Sequence, residues 1–110
     1  MASIRTQPPV FTLINTFRVA PERQDDVIRS LREVTESVTR ALPGFVSACV
    51  HKGFDGAHVV NYVQWRSRAD FEAMLADPRM QHHLREVREL ALEVMPIACS
   101  VAYVGETGSG

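Results

Sequence analysis

Hydrophobic and polar positions alternate from Val10 to Val19. Phe11, Leu13, Asn15, Phe17 and Val19 share one side, and Val10, Thr12, Ile14, Thr16 and Arg18 the other; this period of two predicts a strand. Pro21 closes it and the period changes. Val27, Leu31, Val34, Val38 and Leu42 recur at steps of four and three behind a first turn of Pro21, Glu22, Asp25 and Asp26, predicting a long amphipathic helix that Pro43-Gly44 ends. Phe45 to Lys52 and Ala57 to Arg66 read as two strands joined by the turn residues Gly53 to Gly56, hence a hairpin. Ser67 stands as the N-cap of a short helix from Arg68 to Ala76, with Asp70 at its third position. Asp77-Pro78 restarts the chain into a helix with the stripe Met80, Leu84, Val87 and Ala91. Pro96 is expected to break that helix, leaving Ile97 to Val104 as the last strand.

The order βαββαβ, without internal repeat, predicts an α+β fold: a ferredoxin-like sandwich with an antiparallel sheet and helices on one face. The expected domain is 10–104, between a disordered N-terminal segment at 1–9 and a flexible tail at 105–110. A sheet covered on one side usually offers water a polar row on the other, yet both rows of the third and fourth strands are largely apolar. A homodimer pairing sheet against sheet is therefore expected.

Composition narrows the function. The chain has 110 residues, 45% hydrophobic and 23% charged, which suits one soluble domain with a packed core and a small or shared pocket. A net charge of -1 without a Lys/Arg block argues against nucleic acid. No apolar stretch reaches the length of a membrane span, and Met1 to Pro9 has no hydrophobic region of a secretory signal, so a cytoplasmic location is expected. Cys49 and Cys99, far apart and outside any CxxC, read as free thiols rather than a zinc site.

The third strand, AHVVNYVQWR, carries the candidate chemistry. Asn61 and Trp65 fall on the same side as Val59 and Val63, about 13 Å apart along the strand. An amide on an apolar face must find a partner or cost about 1 to 3 kcal/mol, so Asn61 is either a structural hydrogen-bonding residue or part of a pocket. Trp65 is either a core aromatic or its neighbour in that pocket, and Asn15 raises the same question on the first strand. Among the histidines, His82 falls on the polar side of its helix, His83 joins the edge of the apolar stripe, and His51 and His58 flank the hairpin. None has convincing metal-ligand spacing, and no metal is expected.

The runs FTLINTF, PGF at Pro43 to Phe45 and NYVQWRSRADFEAML resemble the antibiotic biosynthesis monooxygenase superfamily over nearly the whole folded part. The likeness is greatest to small quinone-forming oxygenases of aromatic polyketide pathways. It implies a dimeric αβ-barrel of two ferredoxin-like subunits, each with a pocket between sheet and helices, acting on a small aromatic substrate and O2 with no cofactor. Asn61 and Trp65 match the family's pocket pair and take the catalytic roles, while Asn15, Phe71, His83, Arg85 and His51 are candidates for substrate binding. Phe71 stands where one member type has a phenolic Tyr acid/base. Arg85 matches a family arginine, although helical periodicity sets it away from the stripe. The haem-degrading branch of the superfamily is the alternative, with Asn15, Trp65 and His83 as its rough counterparts; a non-catalytic aromatic-binding αβ-barrel is the other.

Overall fold

The structure, a computed structural model, describes residues 10–108. The expected disordered segment at 1–9 lies outside the described residues, as do the last two residues of the expected tail. Four strands, β1 (Phe11–Arg18), β2 (Phe45–Lys52), β3 (His58–Trp65) and β4 (Glu93–Cys99), form one antiparallel sheet in the order β2-β3-β1-β4. Helices α1 (Gln24–Ser37), α2 (Arg68–Leu75) and α3 (Pro78–Leu90) cover one face.

β1 and β3 are the central pair, matched from Phe11–Trp65 to Arg18–His58. On the helix side lie Leu13, Asn15 and Phe17 of β1 and Val59, Asn61, Val63 and Trp65 of β3, as the alternation requires. Two apolar clusters form above this face. One gathers Phe17, Val19, Val27, Leu31, Val59 and Val87, and the other Val63, Trp65, Met74 and Met80. Gln24 ties the start of α1 to the hairpin, its buried amide nitrogen donating to the carbonyls of Gly53 and His58 at 2.9 and 3.1 Å.

Two expectations are corrected. The first helix stops at Ser37, and its stripe continues as a 3-10 turn over Thr39–Ala41. The reason lies in the stretch VTESVT: Val34, Thr35, Val38 and Thr39 are β-branched, and the Thr35 and Ser37 hydroxyls donate back to the carbonyls of Leu31 and Glu33. The last strand runs Glu93–Cys99 rather than Ile97 to Val104, and Pro96 sits inside it. Leu92 already donates to the carbonyl of Arg18 at 2.7 Å, so the chain joins β1 as soon as α3 ends. β4 is an edge strand, and an edge tolerates a residue without an N–H. Gly44, at φ +82, turns the chain into β2 where a Cβ would collide with the Asp70 carboxylate.

Candidate functional site

The two apolar clusters do not meet. Between the Leu13–Val63 and Phe17–Val59 pairs of the central strands, Asn15 stands directly opposite Asn61, so one rung of an otherwise apolar surface is made of two amides. A cavity of about 230 Å³ lies over this rung, walled by both clusters and by α1, α2 and α3. Its surface is mostly apolar and it is largely enclosed.

Asn15, Asn61, Trp65, Phe71 and His83 all line the cavity. Trp65 is fully buried, set edge-on to Phe45 with ring centroids 5.7 Å apart. Phe71, brought over the sheet by α2, stacks on Phe11 at 4.6 Å. That helix is fixed by its cap, with the Ser67 hydroxyl accepting from the Asp70 N–H at 3.1 Å. Among the described residues, two buried side-chain polar atoms lack any hydrogen-bond partner: the amide oxygen of Asn61 and the indole nitrogen of Trp65. Each such atom costs about 1 to 3 kcal/mol in a folded protein. Both belong to residues of the cavity wall, where a bound molecule can relieve them.

His83 is buried on the inner side of α3, and its Nδ1 lies 3.4 Å from the hydroxyl of Ser30 on α1. Burial pushes its pKa below the ordinary value; Glu86 opposes this and His82 adds to it. His82 is exposed and pairs with Glu86 at 3.0 Å. His58 and Asp55 pair at the hairpin, away from the cavity lining.

Two expected wall residues are corrected. His51 pairs with Val60, so it belongs to the row that faces away from the helices, and it is exposed. The irregularity between Phe45 and Ser47 sets this row, putting Ala48 on the cavity side. Arg85 is exposed on α3 and takes no part in the lining, because it falls on the opposite side of the helix from His83 and Val87. Sequence reasoning missed Arg88, which lines the cavity as its single charged side chain, and Thr39, which is buried and donates to the sulfur of Met80 at 3.6 Å. A signal existed for Arg88: it follows Leu84 by four positions. Among the described residues, no group of three or more His, Cys, Asp or Glu is placed to hold a metal ion, and no helix is long and apolar enough to cross a membrane.

Comparisons with known proteins bear on this site. Residues 10–86 match the family model described as antibiotic biosynthesis monooxygenase. The chain is 50% identical over 103 residues to the tetracenomycin-F1 monooxygenase of Streptomyces glaucescens, covering 94% of this chain and 91% of that protein. The monooxygenase from ActVA-Orf6 of Streptomyces coelicolor, solved in complex with nanaomycin D, superposes with a TM-score of 0.74 at 30% identity, over 90% of this chain and 91% of that one. SnoaB of Streptomyces nogalater, a cofactor-independent oxygenase, shares the fold with a TM-score of 0.70 at 22% identity, over 86% of this chain and 95% of that one.

Proposed function

Since the chain belongs to the antibiotic biosynthesis monooxygenase family, we propose that it oxidises a polyphenolic, anthrone-type polyketide to a quinone with O2 and without a cofactor. The observation that carries this reading is the pair of unpartnered polar atoms, on Asn61 and Trp65, in the wall of a largely apolar cavity. The likeness to a tetracenomycin-F1 monooxygenase supports the substrate class.

The chemistry asks little of the protein beyond binding and electrostatics. An anthrone that has lost a proton passes one electron to O2, and the caged radical pair recombines to a peroxide at the former methylene carbon. Protonation and loss of water leave a carbonyl. One oxygen atom of O2 enters the product and the other leaves as water, and all four electrons come from the methylene carbon, so no external reductant is required. The apolar walls exclude bulk water, and Arg88 favours the anionic substrate over the neutral one. Trp65 donates its indole N–H to the oxyanion, and Asn61 offers an amide that both accepts from a phenol and donates to the developing peroxide. On this reading the outer face of the sheet, where Met95 and Ile97 stand about half exposed beside Ile14, is covered by a second copy of the chain.

Purified protein without added cofactor is expected to consume O2 when given a hydroxylated anthrone and to generate the absorbance of the quinone. Asn61→Ala should slow that turnover about 100-fold or more. An absence of O2 uptake across a panel of anthrones and naphthacenones, or an unimpaired Asn61→Ala variant, would overturn the assignment. Asn15, Trp65 and His83 share the same cavity, so a haemin titration checks the haem-degrading alternative; the Soret band is expected to stay that of free haemin.

A further inference from the structure

The proposed oxidation starts with the loss of a proton inside a mostly apolar cavity, and that proton needs an acceptor that can hold it until the peroxide forms. Of the described side chains lining the cavity, His83 alone carries an imidazole; Arg88 carries a guanidinium, and the others are amides, hydroxyls, thioethers, an indole and apolar groups. His51, which suits the same task by residue type, is on the opposite face of the sheet.

A second feature singles out His83. A surface groove of about 490 Å³ runs between α1 and α3, and only Val34 and His83 line both the cavity and this groove. His83 is thus the polar side chain shared by the cavity and the α1–α3 groove, while Arg88, with Val94 and Pro96, lines both the cavity and a second surface groove. Ser30, the residue whose hydroxyl meets Nδ1, lines the groove, so that nitrogen is on the groove side of the ring and Nε2 is the other edge.

Resting on the oxygenase reading above, we propose that His83 is the catalytic base: Nε2 takes the proton of the bound polyphenol, and the imidazolium returns it to the peroxide formed from O2, whose outer oxygen leaves as water, while the Ser30 hydroxyl on the groove side holds Nδ1–H. The bond that breaks is the substrate's O–H or C–H bond, and its electron pair stays on the substrate as the anion that reduces O2. Ser30 is a positioning residue that holds the ring in the tautomer with hydrogen on Nδ1. Glu33 on α1 and Arg79, His82 and Glu86 on α3 line the groove, Arg88 lines the cavity, and α2 contributes only Phe71, Met74 and Leu75. Burial holds the pKa of His83 below the ordinary value, so the ring is neutral and able to accept at pH 7, and it loses that ability only as pH falls through the lowered pKa.

Turnover of a hydroxylated anthrone, measured across pH in wild type, His83→Asn and Ser30→Ala, tests this. At pH 7 the His83→Asn variant is expected to lose about 100-fold or more in kcat. Quenching of the single Trp65 by the product quinone should change little. Its rate should climb with pH as the substrate ionises unaided, without the acid limb of the wild type, and added imidazole should restore part of the rate to His83→Ala. Ser30→Ala should keep the limb but shift it. A His83→Asn variant with wild-type kcat at pH 7, or with the acid limb intact, would overturn the proposal while leaving the oxygenase reading standing; a wild type that consumes no O2 removes both. Should the variants not fold, NMR titration of His83 in the wild type decides, since a ring pKa that disagrees with the kinetic limb refutes the role.

Discussion

A buried polar atom without a partner is either a defect or a vacancy for a ligand, and the Trp65 indole separates the two. Trp65→Phe keeps an aromatic ring against Phe45 and deletes only the part of the indole that carries the N–H. If that N–H is held unpaired for the substrate, the variant should lose far less stability than the roughly 3–5 kcal/mol of a Trp→Ala deletion. Removing the orphan itself recovers about 1–3 kcal/mol. Turnover should nevertheless fall about 100- to 1,000-fold, because the oxyanion loses its donor. A urea melt and an O2-uptake assay on the same preparation check both halves; a variant that is unstable and fully active would contradict them. At this scale the sequence was informative about Asn61 and Trp65, which strand alternation put on one face, and offered for Arg88 only its spacing of four from Leu84, since its place on the wall depends on where α3 lies across the sheet.

At the scale of elements, the cavity depends on short helices held in position by their ends. α2 has eight residues and brings Phe71 and Met74 over the sheet. Its start is fixed by the Ser67 hydroxyl, which accepts from the Asp70 N–H and also meets the Asp70 carboxylate at 3.0 Å. Ser67→Ala should cost about 1 kcal/mol. For a domain of this size that corresponds to a fall of about 4–8 °C in Tm, read by thermal melting; an unchanged Tm would show that the cap is not what anchors α2. This cap was legible in the sequence, as was the Asp77-Pro78 start of α3, because both follow from which side chains satisfy free N–H groups at a helix start. The ends were less legible. Pro96 reads locally as a helix breaker, yet α3 already stops at Leu90 and the proline occupies an edge strand, a circumstance set by the pairing of β4 with β1. Val38 continues the periodic stripe of α1 but leaves helical geometry, since β-branching and hydroxyl back-bonding weaken the last turn.

At the scale of the whole molecule, the helices occupy one face of the sheet and leave the other to be covered. Cys49 on β2, Val60 and Tyr62 on β3, Ile14 on β1 and Met95 and Ile97 on β4 all belong to that outer face. The proposed homodimer is expected to appear in sedimentation velocity as a species of twice the chain mass at micromolar concentration, and Ile97→Glu should drive it toward monomer. A wild type that sediments as a monomer would remove the proposal. The order of strands and helices, the two faces of each strand and the position of two amides on the inner face were all determined by the sequence, because alternation, capping and breaking residues act over a few neighbouring positions. Tertiary structure alone decided that Asn15 meets Asn61 across one rung, that the apolar clusters on either side leave a hollow there, and that His83 lines it from α3 while Arg85 and His51 face elsewhere. Those outcomes depend on strand register, a bulge in β2 and the rotation of a helix about its axis, which are set when distant segments pack against one another.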